Sequence, residues 1–161
     1  MKPENKELLL KDLCTRIPYE VVGQCEIDAS YDTSFDTKCQ THKFDAMIYG
    51  LKEDLLLVTP LIEDRDEQEF ANEEVANGID VLDFKPYLFS MSSMTEEQKK
   101  EYNNLQCYVP IYYYEYRELV EEIELHPTLE SFEYLIKNHF DFRGLIEKGL
   151  AIDATGLNIY D

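Results

Sequence analysis

The stretch Leu55-Leu56-Leu57-Val58-Thr59-Pro60-Leu61-Ile62 constrains this chain more than any other. It is almost wholly apolar and reads as a central strand. Phe44 to Leu51 alternates before it, and Lys52-Glu53-Asp54 lies between as a short turn, so the two runs predict a hairpin. Pro60 has no N–H to give to a ladder, so pairing should weaken there. A strand this greasy must be covered, and the rest of the chain offers the cover.

Residues 3–17 carry Leu9, Leu10, Leu13 and Ile17 at helical steps, and Pro18 ends the pattern. Val21, Cys25 and Ile27 face one way along a half-buried strand over 19–27. The polar stretch 28–43 contains the echo Ser30-Tyr31-Asp32-Thr33 and Ser34-Phe35-Asp36-Thr37 and reads as a loop or an edge hairpin. Residues 63–74 hold seven acids and one Arg with no apolar period, an exposed acidic loop or frayed helix. A strand is expected over 79–84. Thr95 and Gln98 form a capping box for a helix to about Leu105. Residues 108–125 have strand-like composition at first, but Tyr116, Leu119, Val120 and Ile123 fit a helical face, and a helix over 111–125 is the expectation. Thr128 caps a helix over 128–140 with Leu129, Phe132, Leu135, Ile136 and Phe140 as its stripe. A short helix over 142–148 stops at Gly149, and 151–161 is a tail.

These pieces predict one α+β domain over 1–161. A small antiparallel sheet of three to five strands is packed on one face by three or four helices. The 161 residues suit a single domain.

Charge then narrows the partners. With 34 Asp or Glu against 15 Lys or Arg, the net charge is -19, and both halves are acidic. Nucleic-acid phosphates and anionic membranes are repelled by such a surface. Neither a signal-peptide core nor a run long enough to span a bilayer is present, so a cytoplasmic protein with reduced cysteines is expected.

Chemistry-bearing patterns are sparse. The candidate metal ligands are Cys25, Cys39 and His42, of which Cys39 and His42 are close in sequence; zinc wants four ligands, and no Cys-x-x-Cys occurs. Asp28, Asp32 and Asp36 lack the spacing of a calcium loop. No Gly-x-Ser-x-Gly and no phosphate-cradling glycine motif is present. His139 ends a helix, where dipole compensation or packing is its simplest role. Lys85 and Arg143 read as basic groups paired with local carboxylates. No cofactor, no metal and no catalytic residue is therefore expected.

The tyrosines are unusual: twelve, with no Trp. Tyr112, Tyr113, Tyr114 and Tyr116 crowd one segment, and a small core cannot hold them all. Tyr suits interfaces because it offers rigid apolar area with a polar tip. The leading expectation is thus a non-enzymatic interaction or regulatory protein with a protein partner. One alternative is a DNA-mimicking inhibitor that presents a carboxylate row to a basic protein. The other is a small hydrolase or metal-dependent enzyme built on Cys39, His42 and nearby Asp residues.

Two blocks, Lys85-Pro86-Tyr87-Leu88-Phe89-Ser90-Met91-Ser92-Ser93-Met94-Thr95-Glu96-Glu97 and His126 to Ala151, resemble segments of small uncharacterised acidic proteins encoded by gut anaerobes and their phages or mobile elements. The resemblance is specific in these two blocks and vague elsewhere. It implies an accessory-gene context, which favours a regulator or an inhibitor of a host protein, and it carries no activity or site residue.

Overall fold

The greasy run becomes strand β3 (Leu55–Pro60), the third in a sheet that starts with β1 (Val22–Thr33) and β2 (Asp36–Lys52). The structure is a computed structural model. It describes residues 3–33, 36–115 and 118–160, leaving aside the side chains of residues 29–33, 36–40, 114, 115 and 118. The expected hairpin is present: β2 and β3 are antiparallel from Ala46↔Pro60 to Lys52↔Leu55, with Glu53 left-handed (φ 58°) in the turn. A bulge between Ile48 and Gly50 re-aims the strand. The polar stretch 28–43 extends β1 and β2 into a long hairpin, paired from Val22↔Met47 to Thr33↔Asp36.

Around this meander the sheet grows past the expected size. β4 (Ile79–Asp80) pairs with β3, β5 (Phe84–Leu88) pairs with β1, and β8 (Ile152–Asp153) runs parallel to β5. The order is β4-β3-β2-β1-β5-β8, a six-stranded mixed sheet, with a separate two-stranded ribbon of β6 (Cys107–Glu115) and β7 (Glu118–His126). The expectation of a small antiparallel sheet of three to five strands is overturned on number and on direction. β4 and β8 are two-residue strands, too short to print a period. A 3-10 turn over Val81–Asp83 splits the single strand read over 79–84.

One face of the sheet holds the main core. Val21, Cys25, Ala46, Ile48, Leu56 and Val58 are buried there. α1 (Pro3–Arg16) lays Leu9 and Leu13 on it, and the segment after residue 144 adds Leu145 and Leu150. Of the two readings of 63–74, an exposed acidic loop or a frayed helix, the structure has a helix, α2 (Arg65–Val75). Asp64 caps it by accepting from the Asp66 and Glu67 amides, and Ala71 and Val75 are its buried residues. Two modest apolar residues four apart are enough to seat a helix whose other faces are charged, yet too few to show as a stripe.

α3 (Glu96–Asn104) has the expected capping box but buries no residue, and it does not cover the sheet. It packs on α4 (Leu129–Lys137) through Tyr102 and Tyr134, whose rings lie 6.3 Å apart. Met94, Leu135 and Phe140 form a second, smaller core there. α4 stops at Lys137 rather than Phe140, because His139 turns left-handed (φ 56°). The helix expected over 142–148 is a series of turns. Its backbone is held by Asp141, whose carboxylate accepts from the Leu145 and Ile146 amides. The segment after 150 is no loose tail: Ala151 and Ala154 are buried, and the Tyr160 hydroxyl donates to the Tyr87 carbonyl at 2.7 Å.

Candidate functional site

Among the described side chains, the candidate metal ligands do not assemble. Cys25 lies fully buried among core residues, and burial pushes its thiol up to about 12, the wrong direction for a thiolate ligand or nucleophile. His42 stands opposite Ile27 and packs its ring on Phe70 of α2 at 5.1 Å. The Cys39 backbone pairs with Ser30, and its side chain lies outside the described residues. Among the described residues no three His, Cys, Asp or Glu side chains gather as a metal site. Of the acidic series, Asp28 accepts from the Thr41 hydroxyl, and the side chains of Asp32 and Asp36 lie outside the described residues.

The other two histidines lie in different surroundings. His126 is exposed, 3.5 Å from Glu124. His139 is buried, and desolvation first, then the positive charge of Arg16, holds its pKa down to about 4. A neutral imidazole does not compensate a helix dipole, so packing is its role: its ring stacks on Tyr160 at 3.7 Å.

Arg143 reaches far beyond a local partner. Its Nε donates to Asp12 at 3.0 Å, across 131 residues. The same carboxylate accepts from Arg16 Nε at 2.6 Å, and Arg16 Nη2 donates to the Phe140 carbonyl at 2.8 Å. Both guanidinium groups lie over the Phe142 ring. Arg16 and Asp12 are wholly buried, so this network ties α1 to the end of α4. A sequence signal existed: Leu9, Asp12, Leu13 and Arg16 share one helical face, which puts two charges in an apolar stripe.

The tyrosine segment gives the clearest surface feature. Where a helix was expected over 111–125, the described residues 111–115 and 118–125 are strand. They belong to the β6–β7 ribbon, paired from Cys107↔His126 to Glu115↔Glu118. The helical spacing of Tyr116, Leu119, Val120 and Ile123 in the sequence is coincidental, and the β-branched and aromatic composition matches the strands. Directly opposed residues share a face, so Tyr108 with Leu125, Pro110 with Ile123, and Tyr112 with Glu121 line one side, and Leu119 continues it. That side stands in solvent: Tyr108 is 69% exposed, Tyr112 58% and Ile123 67%, with Leu119 and Leu125 also exposed.

The ribbon's polar groups are arranged around that face. The Tyr112 hydroxyl donates to Glu121 and the Tyr113 hydroxyl to Glu122 at 2.7 Å. Glu122 and Glu124 lie on the opposite side from the apolar row, beside Ile111 and Val109. Of the four tyrosines expected at an interface, Tyr112 and Tyr113 are exposed. The Tyr114 side chain and all of Tyr116 lie outside the described residues. Tyr108, Leu119, Ile123 and Leu125 are additions that only the strand register reveals.

Below the ribbon the base is pinned, since Thr128 Oγ1 donates to the Leu105 carbonyl at 2.5 Å. No protein-family model, curated protein or solved structure matches this chain. No helix among the described residues is long and apolar enough to cross a membrane.

Proposed function

We propose that this chain is a non-enzymatic interaction protein of the cytoplasm that docks on a protein partner through the apolar side of the β6–β7 ribbon. The observation that carries the reading is the solvent-exposed row of Tyr108, Tyr112, Leu119, Ile123 and Leu125 on a single strand face. Such a row amounts to roughly a few hundred Å² of largely apolar surface, the size of patch that is often functional on a monomer. The partner is a protein offering an apolar groove bordered by Lys or Arg. Glu121 lies within the row, Glu122 and Glu124 lie behind it, and the chain as a whole carries -19. The same charge opposes both a second copy of this chain and a nucleic acid as the occupant.

The test compares capture by the wild-type chain with capture by Ile123→Ser and Tyr112→Ala, each shown to be folded by circular dichroism. A supported reading gives a stoichiometric partner that survives high salt, is lost with either ribbon variant and is kept by Leu157→Ser, an exposed apolar residue outside the ribbon. Three results would contradict it: capture indifferent to the ribbon variants, self-association of the free chain, or a partner released by salt alone. The last is the behaviour of a carboxylate mimic of DNA.

A further inference from the structure

Where α4 ends, a concavity of about 470 Å³ opens between His139, Phe89, Tyr160, Ser93, Lys137 and Thr155. Its volume lies in the range of small-molecule sites. Three other hollows of this acidic chain have carboxylate walls: Asp66 and Glu67 beside His42, Asp28 and Asp83 beside Lys85, and Glu69 and Glu73 along α2. No Asp or Glu among the described residues lines this one. The nearby Asp153 is already engaged by the amide and hydroxyl of Thr155.

The lining carries three aromatic rings ordered against one another. Tyr160 is anchored by its hydroxyl on the Tyr87 carbonyl, His139 stacks on it with 6° between the planes, and Phe89 stands 6.0 Å from Tyr160. His139 is 7% exposed, and its Nδ1 is sealed in the protein without a hydrogen-bond partner. The His139 backbone is left-handed (φ 56°), a conformation that non-glycine residues rarely adopt. Lys137 supplies a cation at the rim, and the Arg16 guanidinium lies behind, near enough to act on His139.

We propose that this concavity binds a small planar aromatic anion, its ring against Phe89 and the His139–Tyr160 stack and its anionic group on the Lys137 ammonium. The site is independent of the ribbon. A carboxylate and a phosphate share this chemistry, and the probes separate them.

The experiment is an NMR titration of the full chain, following the His139 ring nitrogens and the amides of Ser93, Lys137 and Thr155. The probes are 4-hydroxybenzoate, indole-3-acetate and adenosine monophosphate, with benzamide and adenosine as their neutral counterparts. Saturable shifts centred on these residues are expected for at least one anion, with a neutral counterpart at least about tenfold weaker. Lys137→Gln, a change at an exposed side chain, should abolish that preference, and Ile123→Ser should leave it intact. A tighter carboxylate assigns an aromatic acid, and a tighter phosphate assigns a nucleotide. Absence of saturable shifts with every anion up to about 10 mM overturns the proposal. So do shifts centred elsewhere, or an anion preference that persists in Lys137→Gln.

Discussion

Asp12 sits between two arginines where no water reaches it, and that single carboxylate decides whether the junction of α1 and α4 holds. Removing it leaves two guanidinium groups facing each other over Phe142. Asp12→Ala is therefore expected to cost about 3–5 kcal/mol, the penalty for orphaning a buried charge, read as a lower urea midpoint. A midpoint within error of wild type would show that the network is incidental. His139 adds a pH dependence of definite sign. Its folded pKa is near 4 and its ordinary value 6.5, so between those values the unfolded chain takes up a proton that the folded chain refuses. Stability from this group is complete above about pH 6.5 and is lost as pH falls toward 4, by about 3 kcal/mol. His139→Phe keeps an aromatic ring on Tyr160 and removes the titration. The wild-type minus variant stability should fall over that window; a flat difference would contradict the assignment. Cys25, with its thiol pushed up to about 12, should resist a thiol reagent in the native chain while exposed Cys14 and Cys107 react. Labelling of Cys25 at their rate would mean that the core opens.

At the scale of elements, the ribbon and the sheet should respond oppositely to mutation. Ile123→Ser removes an exposed side chain and is expected to change unfolding free energy by less than about 0.5 kcal/mol. Gly23→Ala should cost about 1–3 kcal/mol, because a Cβ there would lie 2.4 Å from the Phe84 ring and 2.5 Å from the Lys85 carbonyl. Equal effects in denaturation would contradict the division into a packed sheet and a free-standing ribbon. The same division explains what was legible in the sequence. The β2–β3 hairpin, α1, and the Thr95 and Thr128 caps were readable, because apolar period and capping chemistry act locally. The two-residue strands β4 and β8 were not, since their pairing is imposed by neighbours distant in the chain. The tyrosine segment was readable as more aromatic surface than a small core can hold, but not as a ribbon. With no core behind it, neither a helical nor an alternating period is enforced, and the helix pattern arose by coincidence. The pocket at His139 draws on residues from 89 to 160, and no local pattern announces such a convergence.

Across the whole molecule, two cores stand side by side, one under the mixed sheet and one between α3 and α4, joined by the buried Arg16–Asp12–Arg143 network. The ribbon leaves from the smaller core and carries its apolar face outward, although a two-stranded hairpin alone is marginally stable in water. The net charge of -19 sets copies of the chain against one another, so an exposed greasy face is tolerable in the free chain, and the occupant proposed for that face is a basic-rimmed protein. Hydrogen exchange on the free chain and on the chain saturated with its captured partner tests this most directly. Fast exchange is expected over residues 107–126 in the free chain, with strong protection there on binding and β1 to β3 unchanged. Slow exchange over 107–126 in the free monomer, or protection that appears only elsewhere, would contradict it.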